Sequence, residues 1–210
     1  MTALPETQTQ IDLLRHGEPV GGRRYRGQSD DPLSDKGWRQ MRSAVSAMPQ
    51  DWQVIYSSPL QRCAVFAQEV ATRLSVPLKT DARLKEIGFG AWEGHTADEI
   101  NQADANTLMR FWLDPIGNRP QGAEGIVAFH ARVQAAWNEI CANEQGRRVL
   151  IVGHAGITRM IMSLVLGSPP EHMFRIQVGN AGHTRIRIQG TGAQALPSLM
   201  FHGCVPSAEA

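Results

Sequence analysis

A short apolar segment that ends abruptly in charged residues constrains the fold of this chain more than any other feature. Residues 11–14 are mainly apolar, and Arg15, His16 and Gly17 follow them directly. An apolar run of this kind is typical of a buried strand in a parallel sheet. Ligands of open α/β sheets bind at the carboxyl edge of the strands, so the pattern predicts an anion site there. A core histidine beside a surface arginine is the alternative reading of this tripeptide alone.

The same order of apolar strand, sharp turn and helix occurs twice more. Predicted strands at residues 54–58 and 148–152 each precede a turn with a basic or imidazole side chain, and Ser58 and Pro59 are the expected N-cap and first residue of the second helix. Neighbouring parallel strands end at the same edge, where arginines and helix N-termini can bind a phosphoryl group. We expect four side chains to meet there: Arg15, His16, Arg62 and His154.

The rest of the chain reads as further helices and weaker strands without a linker long enough to divide domains. We therefore predict a single domain over residues 1–210, with flexible tails at 1–10 and about 205–210. Other predicted helices begin after Ser34 or occupy residues 96–113, 126–143 and 157–166. Weaker strands are predicted at residues 173–178, 184–188 and 198–201.

Composition excludes several classes of protein. With 210 residues, 42% of them hydrophobic, the chain can bury a substantial core, and its net charge of +1 gives no general attraction to nucleic acid or anionic membranes. No apolar run is long enough to span a bilayer, and the N-terminus lacks the regions of a signal peptide. The spacings of the three cysteines fit neither a disulfide framework nor a zinc knuckle. We expect a cytoplasmic protein without nucleic-acid or membrane partners.

Four segments occur in an order that characterises one protein family. They are residues 14–18 (LRHGE), 57–63 (SSPLQRC), 86–94 (EIGFGAWEG) and 153–156 (GHAG). Together they resemble the signatures of the histidine phosphatase superfamily, which contains the cofactor-dependent phosphoglycerate mutases and many small phosphatases. The resemblance covers about residues 11–188. It implies an α/β fold: a three-layer α/β/α sandwich with a mostly parallel central sheet.

The resemblance also implies a role for each matching residue. His16 would be the nucleophile that forms a phosphohistidine, with its tautomer set by the Gly17 carbonyl. Glu86 would be the general acid and then the base, although a surface carboxylate is the alternative. Arg15, Arg62 and His154 would stabilise the phosphoryl oxygens. Further substrate contacts are expected from four residues: Gly17, Arg26, Gln28 and Ala155. No metal or other cofactor is implied, and Glu93 would be structural, paired with an arginine.

Two departures favour a phosphatase over a mutase. The mutases carry an asparagine six residues after the nucleophile, where this chain has Gly22, and the interval between Glu86 and His154 holds few basic residues. A phosphoglycerate mutase or sugar-phosphate (bis)phosphatase is the alternative, and a broad-specificity enzyme or a non-catalytic phosphate-binding module is the second.

Within the phosphatases, the pattern is most similar to the bacterial α-ribazole phosphatases of cobalamin biosynthesis. The residues that carry this similarity are 13–18, 21–22, 26–27, 30–31, 37–38, 110–112 and 114–115. The implied partner is a small phosphomonoester, α-ribazole 5′-phosphate. Four aromatic side chains could stack on its base, with core packing as the alternative role: Tyr25, Phe89, Trp92 and Trp112.

Overall fold

A six-stranded sheet forms the centre of the computed structural model, which describes residues 7–102 and 104–203. Side by side, the strands are β3 (Leu78–Thr80), β2 (Val54–Ser57), β4 (Arg148–Gly153), β1 (Gln8–Arg15), β5 (His183–Gln189) and β6 (Leu196–Gly203). The first four are parallel to one another, whereas β5 runs antiparallel to β1 and β6 antiparallel to β5. The predicted mostly parallel sheet is therefore confirmed.

Helices cover both faces of this sheet. The helices are α1 (Asp35–Ser46), α2 (Gln61–Leu74), α3 (Ala97–Ile100), α4 (Thr107–Leu113), α5 (Ile126–Asn143) and α6 (Ala155–Leu166). Successive side chains of a strand point to opposite faces. Accordingly, Leu13 packs in the core under α5 and α6, and Leu14 packs in the core under α1 and α2. This arrangement confirms the three-layer α/β/α sandwich.

Local sequence explains where the main helices begin and which face they bury. The Ser34 hydroxyl caps α1 by accepting a hydrogen bond from the Gly37 amide at 3.0 Å. The apolar stripe of α5 is buried as its periodicity predicts. Its members are Ile126, Phe129, Val133, Trp137 and Ile140.

Two predictions about secondary structure are wrong: the start of α2 and one of the weaker strands. Helix α2 begins at Gln61 instead of Pro59, because the Asp30 carboxylate accepts from the Gln61 amide at 2.7 Å and defines the helix start. The predicted strand at residues 173–178 is absent from the described residues. Instead, Pro170–Arg175 forms a 3₁₀ helix that begins after Pro169 and packs Met173 into the core.

The predicted N-terminal tail is also shorter than expected. Strand β1 begins at Gln8, and Gln8, Thr9 and Gln10 pair with residues 187–189 of β5, so backbone hydrogen bonds order a segment whose side chains are all polar. The remaining predicted tail positions at 1–6 and 205–210 lie outside the described residues. No helix in residues 7–102 or 104–203 combines the length and hydrophobicity that a membrane span requires.

Candidate active site

The carboxyl ends of β1 and β4 bring two histidines together. Arg15 is in register with Gly153, and the His16 amide donates to the Gly153 carbonyl at 2.9 Å. The next residue of each strand end is therefore a histidine, and the rings of His16 and His154 lie 5.2 Å apart between centroids at an interplanar angle of 67°. Parallel pairing of the two strands thus brings His16 and His154 together at the sheet edge, where the sequence predicted that they would meet.

His16 is held in one tautomer. Its Nδ1 lies 2.7 Å from the Gly17 carbonyl, which can only accept, so Nδ1 carries the proton and Nε2 keeps a free lone pair. Gly17 can occupy this position because its Cα packs against α1: a Cβ there would lie 2.2 Å from the Gly37 carbonyl oxygen. Burial holds the pKa of His16 well below its usual value, and the charges of Arg15 and Arg62 lower it further.

His154 is the N-cap residue of α6, and its side chain contacts Ser58 in the β2–α2 turn and Cys63 in α2. Its Nε2 lies 2.8 Å from the Ser58 hydroxyl, and the Cys63 thiol lies 3.6 Å from the same nitrogen. Burial, then the charges of Arg62 and His16, lowers the pKa of His154 well below its usual value. Burial raises the pKa of Cys63, so the neighbouring sulfur stays a neutral thiol.

The two arginines are anchored so that their charges face this pair of rings. Arg62 lies in the first turn of α2, is 1% exposed, and donates to the carbonyls of Ser29 and Gly27. Its Nε is buried without an acceptor among the described residues, which leaves a donor for a ligand oxygen. Arg15 donates from Nη1 to the Val178 carbonyl at 2.7 Å. Two anchored guanidinium groups supply this edge of the sheet with the kind of donors that bind anions.

Glu86 approaches from the other side, bound to the N-terminus of α6. The Gly156 amide lies 3.0 and 3.1 Å from its two carboxylate oxygens, and the Ile87 amide donates to Oε1 at 3.0 Å. Arg132 of α5 donates to the Glu86 carbonyl and pairs with Glu124 at 2.7 Å. The carboxylate is therefore held at the N-terminus of α6, two residues after His154.

A family model matches residues 11–197, which include every site residue described above. It describes the histidine phosphatase superfamily, branch 1. The chain belongs to this superfamily. The curated relatives include Bifunctional protein Rv2228c of Mycobacterium tuberculosis, 31% identical over 90% of this chain and 53% of that protein. The chain thus spans about half the length of the first relatives it matches.

Other similar proteins match along most of their length. A Proteus mirabilis protein named probable phosphoglycerate mutase GpmB is 32% identical, over 87% of this chain and 86% of that protein. The solved structure of a mycobacterial glucosyl-3-phosphoglycerate phosphatase in complex with VO3 has a TM-score of 0.84 and 25% identity, covering 93% of this chain and 99% of that one. The proteins similar to this chain thus include both phosphatases and mutase-like proteins.

Three other residues that were predicted to contact the substrate have the following surroundings. Ala155 is the first residue of α6, where backbone N–H groups lack helical acceptors. Gln28 reaches the Glu86 carbonyl through Nε2 at 3.4 Å. Arg26 uses Nε and Nη2 to bind Asp31 and the Val20 carbonyl, so these atoms anchor its own loop. Substrate contacts from all three stay predictions.

Two local roles differ from the sequence analysis. Glu93 accepts from the amides of Gln28, Ser29 and Phe89 at 2.9–3.1 Å, so its predicted pairing with an arginine is wrong. Ser58 was expected to be the N-cap of α2, but the N-cap is Leu60; the Ser58 hydroxyl accepts from the Leu60 amide at 3.3 Å and lies 2.8 Å from Nε2 of His154. No local pattern indicates the contact with His154, because 96 residues separate the two.

A cluster of aromatic side chains joins the loop that contains Tyr25 to the segment between Glu86 and α5. Tyr25 packs edge to face on Phe89 and Trp92, and Trp92 packs in the same way on Phe111. Within the described residues, no three His, Cys, Asp or Glu side chains are grouped closely enough to hold a metal ion.

Proposed function

We propose that this chain is a metal-independent phosphomonoesterase that acts through a phosphohistidine on His16. The observation that carries the proposal is the free Nε2 of a neutral His16, held between two arginines and facing His154. A neutral imidazole nitrogen is a nucleophile, and the surrounding cations stabilise the charge of a transferring phosphoryl group.

The reaction has two steps. Nε2 of His16 attacks phosphorus and forms an N–P bond while the P–O ester bond breaks, and the leaving oxygen takes the proton of Glu86. Glu86, now a carboxylate, then takes a proton from water as the water oxygen attacks phosphorus. The N–P bond breaks, which releases inorganic phosphate and restores His16. Arg15, Arg62 and His154 bind the phosphoryl oxygens in both steps, with Gly17, Ala155, Arg26 and Gln28 as further contacts.

Hydrolysis is favoured over mutase activity. The asparagine position of the mutases is Gly22, and residues between Glu86 and His154 offer few cations to clamp a second substrate group. Isomerisation is the alternative reaction, because one of the similar proteins is named a probable phosphoglycerate mutase. Product analysis separates the two, because a phosphatase releases phosphate and a mutase returns an isomeric ester.

We propose α-ribazole 5′-phosphate as the first substrate candidate, on the sequence resemblance. The aromatic contacts among Tyr25, Phe89 and Trp92 support a leaving group with an aromatic part. A carboxylate-bearing phosphomonoester is the second candidate, supported by the similarity to a glucosyl-3-phosphoglycerate phosphatase.

The decisive experiment measures phosphate release from a panel of esters in the presence of EDTA. The panel contains α-ribazole 5′-phosphate, 3-phosphoglycerate, sugar bisphosphates and p-nitrophenyl phosphate. We expect turnover by the wild type that His16→Ala abolishes and that the control His130→Ala, a change on α5, leaves intact. Phosphate release by His16→Ala at the wild-type rate would exclude the phosphohistidine route. Acid-labile ³²P on the wild type but not on His16→Ala would identify the intermediate.

A further inference from the structure

Two neighbouring polar side chains on β1 and β5 play no part in the reaction above. Gln10 of β1 lies directly opposite Arg187 of β5 in the antiparallel ladder, so their side chains share one face of the sheet with Cβ atoms about 5 Å apart. Nε2 of Gln10 and Nε of Arg187 are both buried, and neither nitrogen donates to another described residue. Buried N–H groups without an acceptor are unfavourable, so an acceptor bound between them would stabilise the folded protein.

The pair lies far from the catalytic histidines. Ile186 and Ile188, on either side of Arg187, pack in the core under α5 and α6. Because side chains of a strand alternate between faces, Arg187 and Gln10 point to the opposite face of the sheet. Gln10 also precedes His16 by six residues, which is about 20 Å along the strand direction. The pair is therefore at the other end of β1 from the active site.

The next cross-strand pair on this face shows what an arginine of β5 binds in this position. Arg185 lies opposite Asp12 and donates to both of its carboxylate oxygens, at 2.8 and 3.1 Å. Arg187 is related to Gln10 in the same way, but here an amide stands where the neighbouring pair has a carboxylate. Gln10 brings a further N–H donor and no charge. The positive charge of Arg187 thus has no anion among the described residues.

The strands on either side of this pair do not supply that anion. Ser198 of β6 lies opposite Arg187 and offers a hydroxyl group on the same face. Arg148 of β4 lies beside Gln10, and its own charge is paired with Asp51. Four adjacent strands therefore present a row of N–H and O–H donors around one guanidinium group whose charge is not compensated.

We propose that Gln10 and Arg187 bind a small oxoanion, such as phosphate or a carboxylate group, at a site separate from the catalytic one. An arginine presents Nε–H and one Nη–H as a parallel pair that matches two oxygens of such an anion. The Gln10 amide adds a donor beside that pair. The bound anion has the same relation to Arg187 that the Asp12 carboxylate has to Arg185.

Arginine side-chain NMR signals report on this site separately from the active site. Titration of ¹⁵N-labelled wild type with phosphate, against chloride of equal ionic strength, should shift the Nε–H signal of Arg187 along a saturating curve with a Kd of about 1–10 mM. The control is the Nε–H signal of Arg42, an exposed arginine paired with Glu69, which should shift little. His16→Ala should keep the Arg187 response.

The same titration with acetate separates the two sources of the anion. Saturation by phosphate alone assigns a phosphate site, and saturation by both anions assigns a general oxoanion site. Equal, non-saturating shifts of the Arg187 and Arg42 signals with phosphate and with acetate would indicate an adventitious ion only and would overturn the proposal. These measurements use the wild type, so they do not depend on the folding of a variant.

A variant that carries its own anion gives a second test. In Gln10→Glu the new carboxylate lies opposite Arg187, as Asp12 lies opposite Arg185, so it should pair with the arginine and weaken phosphate binding by about 10-fold or more. Gln10→Met removes the amide donor without adding charge and should raise the Kd by only about 3- to 10-fold. An unchanged Kd in Gln10→Glu would contradict the proposed site.

Discussion

The Gly156 amide donates to both carboxylate oxygens of Glu86, at 3.0 and 3.1 Å. This contact joins the loop after β3 to the N-terminus of α6, where the helix dipole also favours a negative charge. It places the proposed acid beside His154, which caps the same helix. One backbone group thus couples two parts of the site that are far apart in sequence.

We expect Gly156→Ala to displace Glu86. The added Cβ would lie 2.1 Å from Oε1 of Glu86 and 3.3 Å from Phe129, so the carboxylate must move. Misplacement of a catalytic group should lower kcat by about 10- to 100-fold. Steady-state kinetics with p-nitrophenyl phosphate measure this effect. The control Leu166→Ala, at the exposed end of α6, should retain wild-type kcat, and an unchanged kcat in Gly156→Ala would show that Glu86 is not needed there.

Ser58→Ala should weaken catalysis without unfolding the protein. The variant removes the hydroxyl 2.8 Å from Nε2 of His154 and leaves that buried ring without this partner. A lost hydrogen bond of this kind corresponds to about a 5- to 10-fold decrease in kcat. Ser57→Ala is the matched control, because the Ser57 hydroxyl bonds to the Ser58 carbonyl instead. Equal losses in the two variants would argue against a role for Ser58 in orienting His154.

Folding stability should fall between pH 7.5 and 5.5. The pKa values of His16 and His154 are lowered in the folded protein, so both stay neutral while the unfolded chain binds protons below about pH 6.5. The unfolded state then holds more protons, and the free energy of unfolding decreases as the pH falls, by up to about 1.4 kcal/mol per pH unit for each histidine.

Urea unfolding at a series of pH values measures that slope. His154→Gln should remove about half of it, because one of the two histidines no longer titrates. His130→Ala serves as the control for a histidine on a helix surface and should keep the full slope. A wild-type slope in His154→Gln would contradict the proposed origin of the pH dependence.

Asp12 should be critical for stability. Its carboxylate is fully buried in β1 and accepts from Trp52, His183 and Arg185 at 2.7–3.1 Å. These hydrogen bonds hold its pKa below the usual value against the opposing effect of burial, the largest single influence. Asp12→Ala leaves the buried His183 and the partly buried Arg185 without their anion, at an expected cost of about 3–5 kcal/mol in the free energy of unfolding.

Denaturant unfolding at pH 7 measures the free energy of unfolding of this variant and of a control variant in which a surface ion pair is broken. Glu69→Ala removes the partner of Arg42, and the pair is exposed to solvent. Such pairs contribute little, so the free energy of unfolding should remain close to that of the wild type. A similarly small change in Asp12→Ala would show that the buried network is not stabilising.

The sequence by itself determined the architecture and the four groups that meet at the sheet edge. Apolar strands followed by a turn and a helix specify parallel neighbours, and Arg15, His16, Arg62 and His154 each stand at such a junction. Helical periodicity likewise specified the buried face of α5. These features are local, because a strand and the turn after it are adjacent in the chain.

Only the tertiary structure decided which polar groups satisfy one another. Ser58 contacts His154, Glu93 binds backbone amides of the residues 28–29 segment, and the polar residues 8–10 join the sheet through β5. The partners in these contacts are separated by 64 or more residues. These contacts depend on how strands and loops pack in three dimensions. A buried polar group needs a hydrogen-bond partner, and the local sequence does not specify a partner that lies so far along the chain.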